Sequence, residues 1–100
     1  MKELPIACTL STAALETRRS QLRDFRRKMK DRRLSDTNFL AKFDSDAGIL
    51  TEIARFAGIE RECCRFLRFQ ITAEEDCGPI WLDISGPSGT GRFLEDMIAG

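Results

Sequence analysis

Glu60-Arg61-Glu62-Cys63-Cys64-Arg65-Phe66 is the point at which a helical pattern gives way to a strand pattern, and it holds two of the four cysteines side by side. Before it, Ile49, Ile53, Phe56, Glu60, Cys63 and Leu67 recur along one stripe, with Leu50, Ala57 and Cys64 beside it. That spacing predicts a helix from Ala47 to about Cys64. Gly58 in its middle costs about 1 kcal/mol against alanine and is read as a close approach to a neighbour. After it, Leu67, Phe69 and Ile71 alternate with Arg68, Gln70 and Thr72, as a strand does. Glu74-Glu75-Asp76-Cys77-Gly78-Pro79 is a polar turn, and Ile80, Leu82 and Ile84 alternate with Trp81 and Asp83 in a second strand. The two are spaced for an antiparallel hairpin. Gly86-Pro87-Ser88 ends the second strand, and Phe93, Leu94, Met97 and Ile98 form a short closing helix.

Working back toward the start, Leu4 to Leu10 reads as a short strand with Cys8 inside it. Ser11 or Thr12 offers a capping oxygen to a first helix, and Glu16 suits its positive end. Leu15, Leu22, Phe25 and Met29 share one face and carry that helix to about Asp31. Asn38 to Phe43 alternates as another strand, and Asp44-Ser45-Asp46 marks a turn with caps for the next helix. The expected fold is α+β: one domain over residues 1–100, in the order β-α-β-α-β-β-α. The helices pack on one face of a four-stranded sheet.

One hundred residues, 42% hydrophobic and 32% charged, suit a single core and argue against wholesale disorder. No apolar run approaches a bilayer span and the start lacks a signal-peptide core, so the expectation is a cytoplasmic protein without a membrane partner. There is no histidine, which excludes Ser-His-Asp and Cys-His catalysis and imidazole metal sites. No acid–base pair with catalytic spacing is visible, so an enzyme is not the expected reading.

The net charge of zero hides a polarity: residues 17–33 carry nine Lys or Arg against two Asp, a local net of +7. Arg23, Arg26, Arg27 and Lys30 are the candidate phosphate contacts within this run. A solvated helix face is preferred over a nucleic-acid surface, because no aromatic is interleaved for base stacking. This charge separation is also compatible with a homo-oligomer. Gly86-Pro87-Ser88-Gly89-Thr90-Gly91-Arg92-Phe93 resembles the phosphate-binding loop of ATPases over eight residues only. That loop needs Lys and then Ser or Thr where Arg92 and Phe93 stand, so the stretch is read as a turn capping a helix.

In a reducing compartment, four cysteines are thiols, metal ligands or redox groups more readily than disulfides. Cys63 and Cys64 are adjacent and point about 100° apart on a helix, yet both can face inward at a helix end. With Cys8 they make three thiolates, a donor set for mercury(II), copper(I) or arsenic(III). Zinc prefers a fourth ligand, which Cys77 or Glu60 would supply. Glu60 lies one turn before the pair on the same face. Cys77 sits in an acidic turn that disfavours its thiolate. The same Cys8, Cys63 and Cys64 also suit thiol-redox chemistry, with Cys8 resolving a nucleophile in the pair. A third reading makes them core residues of a non-catalytic interaction domain.

Cys8-Thr9-Leu10 and Glu60-x-x-Cys63-Cys64-x-Phe66 resemble the motifs of a group of small bacterial proteins of mostly unnamed function. That group carries Cys-Thr-Leu near its start and Glu-x-x-Cys-Cys-Pro-Phe later, and occurs beside or attached to heavy-metal-responsive and mercury-resistance regulators. Arg65 stands in place of the group's proline. The resemblance implies Cys8, Glu60, Cys63 and Cys64 as the shared set and a link to heavy-metal resistance. The expectation is therefore a soft-metal-ion binding or sensing accessory protein, with Cys8, Cys63 and Cys64 as ligands and Glu60 behind them. Its cofactor would be mercury, copper or zinc, and its partner a regulatory protein.

Overall fold

The computed structural model describes residues 12–99, with side chains from 20 to 98. Its elements are α1 (Thr12–Arg27), β1 (Met29–Leu34), β2 (Asn38–Phe43), α2 (Ile49–Cys63), β3 (Arg68–Ala73), β4 (Ile80–Ser85) and α3 (Thr90–Ala99). The strands form one antiparallel sheet in the order β1-β2-β4-β3, so the α+β class and the number of strands agree with expectation. The described elements run α-β-β-α-β-β-α, with β1 as an unexpected strand. The expected strand over Leu4–Leu10, Cys8 within it, and the side chain capping the first helix lie outside the described residues.

Two hairpins of neighbouring strands, β1–β2 and β3–β4, merge through their inner strands. Alternation decides which face of the merged sheet is covered. Phe39, Ala41 and Phe43 of β2 and Ile80, Leu82 and Ile84 of β4 are all buried, whereas Leu40, Lys42, Trp81 and Asp83 between them are half-buried on the other face. The covered face meets Leu22 and Phe25 from α1, Ile49, Ile53 and Phe56 from α2, and Leu94 and Ile98 from α3. All three helices thus lie on one side. Phe25 stacks on Phe56 at 4.6 Å between ring centroids, and Phe56 meets Phe69 edge-on at 6.4 Å. This row ties α1, α2 and β3 together.

The first helix is shorter than its periodicity predicts. It stops at Arg27, and Met29 and Lys30 open β1 instead of closing the helix. Met29 falls four residues after Phe25, so its contact with the core mimics a helical step although the backbone has changed. β1 is an edge strand of mostly exposed Lys, Asp and Arg residues, and an edge needs no apolar alternation. A bulge between Met29 and Asp31 further disguises it.

Two smaller expectations are also corrected. Gly48, at φ +81°, takes the N-cap of α2 in place of an Asp or Ser side chain. Leu50 is 45% exposed instead of packed, and a Cβ at Gly58 would meet nothing within 4 Å, so that glycine marks no close approach.

Gly91 does mark one. A Cβ there would overlap the Ser35 carbonyl oxygen and lie 2.9 Å from that of Asn38, so α3 starts directly against the β1–β2 turn. Asp36 of that turn accepts the Gly89 N–H at 2.9 Å and the Ser88 hydroxyl at 2.6 Å through its carboxylate. Its backbone carbonyl accepts the Gly89 and Gly91 N–H groups at 3.0 and 3.3 Å. The Ser88 hydroxyl, then the Gly89 amide, hold the Asp36 carboxyl below its usual range. This answers the phosphate-loop likeness of Gly86 to Phe93. The chain's own carboxylate occupies the anion position at the start of α3.

Candidate thiol and carboxylate site

The last turn of α2 positions the chemistry. Glu60 and Cys64 are four residues apart, so they lie one above the other on the covered side of the helix. Both are buried, at 1% and 0% exposure, among the apolar residues of the core. The Cys64 thiol donates to Glu60 Oε2 at 3.8 Å, a long contact of the kind sulfur makes. Their backbones are joined as well, because the Cys64 N–H donates to the Glu60 carbonyl at 2.6 Å and closes the helix. The Cys64 carbonyl then accepts from the Leu67 N–H at 3.1 Å, which turns the chain toward β3.

Cys63, one residue earlier, is half-buried and packs against the edge of the core. The adjacent thiols therefore have different access, Cys64 sealed and Cys63 within reach of solvent. Arg61 and Arg65 on either side are exposed. Both thiols stand at the C-terminal end of α2, where the helix dipole opposes an isolated thiolate and favours a cation.

Glu60 and Cys64 touch, with Cys63 next in the chain, while Cys8 lies outside the described residues. The structure separates Cys77 from them. Six residues of β3 intervene, about 20 Å at strand rise, so Cys77 is not the fourth ligand that zinc would need. Cys77 is exposed at φ +56° beside Asp76 at the same angle, the central pair of a tight turn closed by Gly78 N–H to Glu75 O at 3.0 Å. Among the described residues no group of three or more Cys, Asp or Glu side chains is arranged to hold a metal ion.

The basic candidates Arg23, Arg26, Arg27 and Lys30 do come together, with Arg32, around an open depression of ≈ 640 Å³ between α1 and β1. Its charge is partly met from within, since Arg27 pairs with Asp24 at 3.2 Å and Lys30 with Asp44 at 3.5 Å. Arg32 pairs with Glu95 of α3 at 3.3 Å. Internal pairing leaves less of the +7 run for a phosphate partner than the sequence suggests.

Sequence reasoning passed over Asp36 and the Arg32–Glu95 pair. Their partners lie more than fifty residues away, and no local spacing signals such contacts. Among the described residues no helix is long and apolar enough to cross a membrane. No protein-family model, curated protein sequence or solved structure is significantly similar to this chain.

Proposed function

We propose that this chain binds a soft metal ion through Cys63, Cys64 and Cys8, with Glu60 orienting the buried thiol. The observation that carries the reading is the sealed contact between Glu60 and Cys64 at the end of α2. A carboxyl group so deep in an apolar core is costly to keep unless it is hydrogen-bonded or paired, and the Cys64 thiol is one of the groups it meets there. A thiolate at Cys64 would face that carboxylate at 3.8 Å and the negative end of a helix. A bound cation relieves both repulsions, whereas a redox thiolate gains nothing from either. Half-buried Cys63 gives the ion an entry route, and a histidine-free chain leaves thiolate as its strongest soft donor. The likeness to proteins found beside heavy-metal regulators supports a role in heavy-metal resistance, with a regulatory protein as partner.

The test is a titration of the fully reduced protein with mercury(II), copper(I) and zinc(II) in competition with a chelator, read by native mass spectrometry. One ion should bind per chain, and Cys63→Ser/Cys64→Ser should abolish binding. Full affinity in that double variant rejects the proposal. Glu60→Gln should weaken binding by about 10–100-fold, the range for partners behind a ligand.

A further inference from the structure

We infer that β3 pairs with the β3 of a second copy of this chain, making one continuous eight-stranded sheet. The two edges of the sheet differ in how they are protected. β1 carries Lys30, Asp31, Arg32 and Arg33 and a bulge, the devices that keep an edge from pairing. β3, Arg68-Phe69-Gln70-Ile71-Thr72-Ala73, has no charge after its first residue, no proline and no bulge. Nothing among the described residues pairs with its outer side, and Ile71 is 36% exposed there.

The charges flanking this edge choose the occupant. Arg65 and Arg68 precede the strand core, and Glu74, Glu75 and Asp76 follow it, all of them exposed. A strand positive at its start and negative at its end is complementary to itself when antiparallel. Twofold symmetry requires a residue to face its own copy, and centring on Ile71 gives the best use of the edge. Ile71 then meets Ile71 of the second copy on the helix-covered face, because its β4 partner is the buried Leu82. Phe69 comes opposite Ala73, Gln70 opposite Thr72, and Arg68 opposite Glu74, the last pair occurring twice.

One short strand pair buries less than the about 1,200 Å² at the lower end of stable interfaces, so the dimer is concentration-dependent. Sedimentation velocity from about 5 µM to about 500 µM protein should show monomer passing to dimer. Ile71→Lys, a guard charge on the edge, should remain monomeric with unchanged far-UV circular dichroism. Arg68→Glu should weaken dimerisation about tenfold by setting like charges opposite each other. Arg68→Glu combined with Glu74→Arg should restore it. A wild type monomeric throughout, undiminished dimerisation in either single variant, or a charge swap that fails to rescue would each overturn this pairing.

Discussion

Two glycine-to-alanine changes inside helices should have opposite signs, and the difference isolates what the β1–β2 turn does to α3. Gly58 is exposed in α2 with nothing within 4 Å of where an alanine methyl would stand, so Gly58→Ala should collect the propensity difference of about 1 kcal/mol. Gly91 gains the same propensity term, yet its methyl would enter the space of the Ser35 and Asn38 carbonyl oxygens. Those are backbone atoms and cannot rotate away. Overpacking of this kind costs about 1–3 kcal/mol. Withdrawing α3 also stretches the bonds that Asp36 makes to Ser88, Gly89 and Gly91, each worth about 0.5–1.5 kcal/mol. Gly91→Ala should therefore lose about 2–4 kcal/mol net, lowering Tm by roughly 10–30 °C in a domain of this size. Urea unfolding followed by the fluorescence of the single tryptophan, Trp81, and by circular dichroism would measure both variants. Gly91→Ala within about 0.5 kcal/mol of wild type would refute the close-approach argument.

Cys77→Gly should stabilise by about 0.5–1 kcal/mol, because it removes a side chain held at φ +56°, and chemical denaturation would show it as a higher midpoint. Phe56→Ala should cost about 3–5 kcal/mol by breaking the ring contacts among α1, α2 and β3, a large share of a typical domain's stability, and calorimetry would register the loss. The Asp36 carboxyl is held low in the folded state, so its contribution is present above its ordinary value of 3.8 and is lost as pH falls through the lowered one. Asp36→Asn should accordingly be less stable than wild type at neutral pH, with the gap narrowing on acidification. A gap that stays constant from neutral pH to below about pH 3 would contradict that assignment.

Much of the architecture was legible because buried faces impose periods on the sequence. The alternation in Phe39-Ala41-Phe43 and in Ile80-Leu82-Ile84 located the two central strands, and the stripe Ile49-Ile53-Phe56-Glu60 located α2. β1 was illegible for the complementary reason. An edge strand in water carries no such period, and Lys and Arg are good helix formers that extend a helical reading across it. The Cys63–Cys64 pair and Glu60 were legible as a cluster because four-residue spacing on a helix is a geometric rule. Their unequal burial was not, since it depends on how α2 leans on the sheet. Cys77 as a fourth ligand failed on distance, which residue type alone does not encode.

The seam between β2 and β4 has a kinetic consequence. Each hairpin closes within a short stretch of chain, but the seam joins Phe43 to Ile80 and Asn38 to Ser85, with the whole of α2 and β3 in between. Closing that long loop costs entropy before the seam's contacts repay it. The rate-limiting event in folding is therefore expected to be the meeting of two preformed halves. Stopped-flow φ-values would reveal it: shortening Leu82 should slow refolding, and relaxing the turn at Cys77, already made when the halves meet, should speed refolding and leave the unfolding rate nearly unchanged. A Leu82 variant whose whole effect falls on the unfolding rate would place the barrier elsewhere.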